Sequence, residues 1–104
     1  MHGEARVKVA QGKLVSVKVD YEETINSIKI MGDFFLHPEA AIYGIEDALL
    51  GMDAGSDRET FRNAIENALI KYGAEVIGAD AASMADAVKK AIENGVESNK
   101  TGNA

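Results

Sequence analysis

Hydrophobic and polar residues alternate along the first third of the chain. Ala5, Val7 and Val9 fall on one phase, and Arg6 and Lys8 fall on the other. After Gly12 the alternation resumes, with Val15, Val17, Val19 and Tyr21 set against Ser16, Lys18 and Asp20. Between residues 26 and 31, Ile28 and Ile30 alternate with Ser27 and Lys29. A side-chain period of two belongs to strands with one buried face. The links at residues 10–13 and 22–24 are short enough for hairpins, so the pattern predicts a three-stranded antiparallel meander. One of its faces needs a cover to bury Val7, Val9, Val15, Val17, Val19, Ile28 and Ile30.

The period changes at Pro38. Proline suits a first helical position, because the missing N–H is not needed there. This puts His37 near the N-cap and Glu39 at the positive end of the helix dipole. Ala41, Ile42, Ile45, Ala48 and Leu49 then form an apolar stripe, and Gly51 or residues 53–55 end it. Ser56 and Glu59 have capping-box spacing ahead of Phe61, Ala64, Ile65, Ala68, Leu69 and Tyr72, and Gly73 is a natural stop. Glu75, Val76 and Ile77 form a short strand candidate. Ser83 with Asp86 resembles a start signal for a third helix carrying Met84, Val88, Ala91 and Ile92, closed by Asn94-Gly95. The order β-β-β-α-α-(β)-α predicts an α+β fold, a three-stranded antiparallel sheet with helices on one face. Residues 1–95 form the domain, and the polar stretch 96–104 is expected to be a flexible tail.

Composition narrows the chemistry. The 104 residues amount to one domain, 46% hydrophobic and 27% charged, which describes a soluble globule. The absence of Cys excludes disulfides, thiolate metal sites and thiol catalysis. Two histidines, His2 and His37, are too few for a His-rich metal site, so no metal is expected. No apolar run approaches the roughly 20 residues that span a bilayer, and residues 1–9 lack a secretory apolar region. The expectation is a cytoplasmic protein without membrane contact. A net charge of −6 argues against a nucleic-acid partner. The charge is uneven: residues 1–31 hold five basic and four acidic side chains, residues 32–104 six and thirteen.

A self-contained active site is not visible. The sequence has no phosphate loop, no dinucleotide fingerprint, no nucleophile elbow and no zinc-protease motif. Glu46, Asp47 and Glu66 are expected on solvated helix faces. The segment Met31-Gly32-Asp33-Phe34-Phe35-Leu36-His37-Pro38 is unusual. Neighbouring side chains on a strand diverge, so one Phe enters the core and the other faces a partner or a rim. Gly32-Asp33 allows a sharp exit from the third strand. A plain strand-to-helix connection with an aromatic plug explains the same residues. Arg6, Lys8, Lys18 and Lys29 share the outer phase of the sheet, which reads as a solvated face with lysines guarding edge strands against pairing. Lys13 follows Gly12 at a hairpin tip, where an ammonium and the backbone can both approach a ligand.

Taken together, these residues resemble a known family. Lys8-x-x-x-Gly12-Lys13-Leu14-Val15, the alternating valines, Ile28-x-Ile30-x-Gly32-Asp33-Phe34-Phe35-Leu36-x-Pro38-Glu39 and Ile45-Glu46-x-Ala48-Leu49-Leu50-Gly51 are similar to the accessory, C-terminal domain of lipoate–protein ligases. The likeness runs from about Glu4 to Gly95. Because the chain opens at Met1, the expectation is the stand-alone small subunit of the two-subunit, archaeal-type ligase. The resemblance implies a heterodimer with a large catalytic subunit that contacts ATP, Mg²⁺ and lipoate. That complex activates lipoate to lipoyl-AMP and passes the lipoyl group to a lysine of a lipoyl domain or of the glycine-cleavage H protein. It implies that the small subunit is needed for adenylation but is inactive alone, and that transfer from preformed lipoyl-AMP proceeds without it. On this reading Gly12 and Lys13 approach the nucleotide, Lys13 supporting adenylation. Gly32, Asp33, Phe34, Phe35, His37 and Pro38 shape the site or the subunit interface. A second resemblance is to scaffold and sulfur-acceptor domains of the SufE/NifU type. Those work through Cys, so it implies shared architecture and a structural or protein-binding module with no ligase role.

Overall fold

The computed structural model describes residues 1–10 and 13–97. The alternating first third forms β1 (His2–Lys8), β2 (Leu14–Tyr21) and β3 (Ile25–Gly32), an antiparallel sheet in the order β1-β2-β3. Val7 pairs with Val15, Val17 with Ile30, and Val19 with Ile28. The apolar phase therefore falls on one face, where Val15, Val17, Val19, Ile28 and Ile30 are buried. Val7 and Val9 are half-buried against the same core. The polar phase is exposed, including Arg6, Lys8, Lys18 and Lys29. A bulge between Asp20 and Tyr21 shifts the β2–β3 register before the turn.

Three helices cover the buried face: α1 (Ala41–Leu49), α2 (Arg58–Lys71) and α3 (Ala81–Glu93). α3 lies across β1 and β2, α1 contacts β3, and α2 packs against both other helices. Fully buried Phe61 and Ile65 of α2 meet Ile45 and Leu49 of α1 and Met84 and Val88 of α3 in one core. The Tyr21 hydroxyl donates to the Ile92 carbonyl at 2.6 Å and ties the sheet to the end of α3.

The order is β-β-β-β-α-α-β-α, one strand more than the period predicts. Phe35–His37 forms β4 and pairs with β5 (Glu75–Ile77) in a separate two-stranded antiparallel ribbon. Pro38 is therefore not a first helical residue. It follows β4 through a cis His37–Pro38 bond, and α1 starts only at Ala41, with no side-chain cap at Ala40. The other helix starts are also displaced. Asp57, not Ser56, caps α2 by accepting from the Thr60 N–H at 2.8 Å. Asp80 caps α3 in a reciprocal box with Ser83, so Ser83 is the third helical residue and not the cap. In both helices a carboxylate holds the N-cap, where its charge also suits the positive helix end. At the C-terminal side, Val96 pairs with His2. Residues 98–104 of the expected tail lie outside the described residues.

Candidate functional site

Lys13 closes the β1–β2 hairpin, its carbonyl accepting from the Val9 N–H at 2.7 Å. Gly12 lies outside the described residues. Asp33 secures the hairpin from the side. Its carboxylate accepts the Leu14 N–H at 2.6 Å, and its own N–H donates to the Leu14 carbonyl at 3.3 Å. A charged acceptor on a backbone N–H is among the stronger hydrogen bonds, so the exit from β3 and the entry to β2 are clasped together. Gly32 has no side chain for a steric reason. A β-carbon there would lie 2.7 Å from the Phe34 ring and also collide with the Leu14 carbonyl. Phe34 thus folds back over Gly32 and is half-buried against the core.

The two phenylalanines diverge as the strand geometry requires. Phe35 is 71% exposed and stands opposite Ile77, which is 65% exposed. His37 and Glu75 form the next pair on the same open face. Leu36 and Val76 point the other way and are half-buried. Pro38 is exposed beyond the strand. Beneath Phe35, a shallow cleft of about 230 Å³ lies among Met31, Gly32, Phe34, Phe35, Glu39 and Ile42. That is smaller than the roughly 300 Å³ at which ligand pockets begin.

The structure brings Lys13 to the same end. At Gly78 the backbone has φ +95°, which favours glycine. A β-carbon there would stand 3.4 Å from Lys13 Cγ and 3.5 Å from Phe34 Cα. The link after β5 therefore supports the Lys13 stem and the Phe34 backbone together. Lys13, Asp33, Phe34 and Phe35 form one cluster, and His37 and Pro38 lie further along the ribbon. Two contributors escape a reading of the sequence. Gly78 reads there only as the end of a strand. Glu46, expected in solvent, is half-buried and accepts the Ile30 N–H at 2.9 Å, closing part of the free β3 edge. Its signal is its place one residue after Ile45, on the flank of the apolar stripe.

One solved structure places this arrangement in a biochemical setting. The chain resembles a component of an archaeal lipoylation system. That structure describes a bi-partite lipoate protein ligase and its E2 lipoyl domain from Thermoplasma acidophilum. The likeness has a TM-score of 0.66 and 28% sequence identity, covering 85% of this chain and 97% of the other. No family model matches the chain, and no curated protein matches it. The similarity to the lipoylation component spans both layers of the fold, not a single motif.

Electrostatics differ between those layers. Among the described helical residues, Arg58 and Lys90 both reach Asp86 at 3.6 Å, and Arg62 grips Glu59. The Lys89 ammonium donates to the Ser56 carbonyl at 2.8 Å, and Lys71 lies over the Tyr72 ring. Hydrogen bonding to Arg62 pulls the Glu59 carboxyl below its ordinary value, and that to Thr60 does the same for Asp57. On the sheet, His2 sits between Glu4 at 3.1 Å and Asp20 at 3.0 Å. Hydrogen bonds to Glu4 and then Asp20 raise the His2 pKa, and its imidazole lowers both carboxyls. No group of three or more His, Cys, Asp or Glu among the described residues could hold a metal ion. No described helix is long and apolar enough to cross a membrane.

Proposed function

We propose that this chain is the small accessory subunit of a two-subunit lipoate–protein ligase. It joins a large catalytic subunit in the ATP-dependent activation of lipoate to lipoyl-AMP, ahead of lipoyl transfer to a lysine of a lipoyl domain or of the glycine-cleavage H protein. The observation that carries this reading is the near-coextensive likeness to a chain of the archaeal lipoylation system, 97% of which is covered. The geometry supports the same division of labour. The Lys13 end carries a clasped hairpin and an exposed apolar pair but no enclosed substrate pocket, which suits a part that completes another protein's site.

In this reading Phe35 and Ile77 bury themselves on the large subunit, as large apolar side chains do at the centre of lasting interfaces. Docking there carries Lys13 toward the bound nucleotide. ATP, Mg²⁺ and lipoate are held by the large subunit. During adenylation a lipoate carboxylate oxygen attacks the α-phosphorus and pyrophosphate leaves. Lys13 would stabilise the charge that gathers on the phosphate oxygens, while the closed interface excludes water and strengthens that interaction. Asp33 and Gly78 act as positioning residues for the hairpin that presents it.

The test is Lys13→Ala in the reconstituted heterodimer. The expected result is a fall in lipoyl-AMP formation of about tenfold or more, with heterodimer formation and transfer from preformed lipoyl-AMP retained. Unchanged adenylation kinetics would reject the role given to Lys13.

A further inference from the structure

The cations on the open face of the three-stranded sheet are used neither by the core nor by the apolar ribbon. Arg6 and Lys8 on β1, Lys18 on β2 and Lys29 on β3 are exposed and make no ion pair within 4 Å among the described residues. Register puts Lys18 directly opposite Lys29. Like charges side by side in a ladder oppose stability. Glu4 stands opposite Lys18, and the charges of Lys18 and Arg6 help lower its carboxyl pKa, but its hydrogen bond goes to His2, as does that of Asp20. The helical layer, by contrast, gives every described cation a partner. Among the described residues, the sheet keeps four cations, and the hairpin Lys13, without an ion pair, on a protein of net charge −6. Arg6 and Lys18 border a broad depression of about 670 Å³ that also includes Glu4, Ser16, Met31 and Asn94.

This face suits an acidic protein patch better than other anions. The backbone N–H groups between the strands are committed to the ladder, so the face has ammonium and guanidinium groups but no anion cradle for a lone phosphate. A long polyanion would run past the face onto the rest of the chain, where residues 32–104 hold six basic and thirteen acidic side chains, and be repelled. It also suits a visiting partner better than a permanent one. Lysine is depleted at lasting interfaces, whereas exposed charge chiefly speeds encounter and sets salt dependence. Within the ligase reading, on which this inference rests, the partner that must arrive and leave at every turnover is the lipoyl acceptor. We infer that the open face of the β1–β2–β3 sheet is a docking surface for an acidic patch on the acceptor domain. Because transfer itself is expected without the small subunit, the contribution appears in acceptor KM and not in kcat.

The experiment uses the reconstituted complex, preformed lipoyl-AMP and an apo lipoyl domain, with the Lys18→Glu/Lys29→Glu variant and a milder Lys18→Gln/Lys29→Gln variant as comparison. Adding the wild-type chain to the large subunit lowers acceptor KM at low salt. The charge-reversed chain raises KM about tenfold relative to wild type, with kcat little changed, and the Gln variant falls between. The difference shrinks toward 1 M salt, where the Debye length is about 3 Å. Pyrophosphate release without acceptor and co-elution with the large subunit stay at wild-type levels. Unchanged KM in a variant that still co-elutes and supports adenylation overturns this inference alone. Wild-type chain that neither co-elutes nor stimulates pyrophosphate release overturns the ligase reading beneath it. Binding to anionic vesicles or to an RNA oligonucleotide that is lost in the charge-reversed chain, with acceptor KM unchanged, overturns it in favour of that other anion.

Discussion

The helical layer and the sheet treat charge in opposite ways. The helices nearly balance acid and base, and their cations are spent internally: Asp86 takes both Arg58 and Lys90, Glu59 takes Arg62, and Lys89 reaches the Ser56 carbonyl. The sheet buries its apolar side just as thoroughly, with Val15 and Val17 at zero exposure, yet among the described residues its outer cations make no ion pair within 4 Å. Packing is therefore common to both layers, and pairing is not. Internal pairing satisfies the helical surface within the chain, whereas the sheet's cations remain available to the acceptor contact inferred above.

Substitutions probe this contrast in descending order of effect. Phe61→Ala removes the largest fully buried side chain of the helical layer and is expected to cost about 3–5 kcal/mol in urea unfolding. A value near zero would mean that the layers do not share one core. Asp80→Ala breaks the capping box of α3 and is expected to cost about 1 kcal/mol, whereas Ser56→Ala, at a residue that only resembles a cap in the sequence, should fall well short of that. At the surface the two layers should differ in sign. Arg62→Ala lowers the melting temperature slightly by removing the grip on Glu59, while Lys29→Ala leaves it unchanged or raises it by relieving Lys18.

The smallest expected effect is that of pH, and it belongs to the sheet. The His2 pKa is raised from 6.5 by Glu4 and Asp20, so its contribution is complete below 6.5 and is lost as pH rises through the higher folded value. The lowered Glu4 and Asp20 carboxyls contribute above their ordinary values and lose that contribution as pH falls. The cluster is therefore most stabilising between these ranges. Melting temperature should drop slightly from about pH 6 to about pH 8, and His2→Gln should flatten that slope.

Much of this was legible from residue order. Period two revealed the meander and both its faces, because alternation is a local property of the strand. The divergence of Phe34 and Phe35 followed from the same geometry. β4 was not legible. Glu75–Ile77 stands out between Gly73 and Gly78, whereas Phe35–His37 runs directly into the Pro38-Glu39 helix signal, and its partner lies far along the chain. With β4 unseen, Pro38 was read as a helix start. The same distance hid Gly78, whose closeness to Lys13 exists only once the ribbon folds onto the hairpin end. The His2 cluster was hidden likewise, since Asp20 reaches His2 only through the strand register.

The central claim is that this chain completes an enzyme whose reactive centre lies in another polypeptide. The most direct test is pyrophosphate release from ATP and lipoate by the small chain alone, the large ligase subunit alone and an equimolar mixture. The account predicts release only in the mixture, together with co-elution of the two chains. Release by the small chain unaided, or full-rate release by the large subunit without it, would contradict the account.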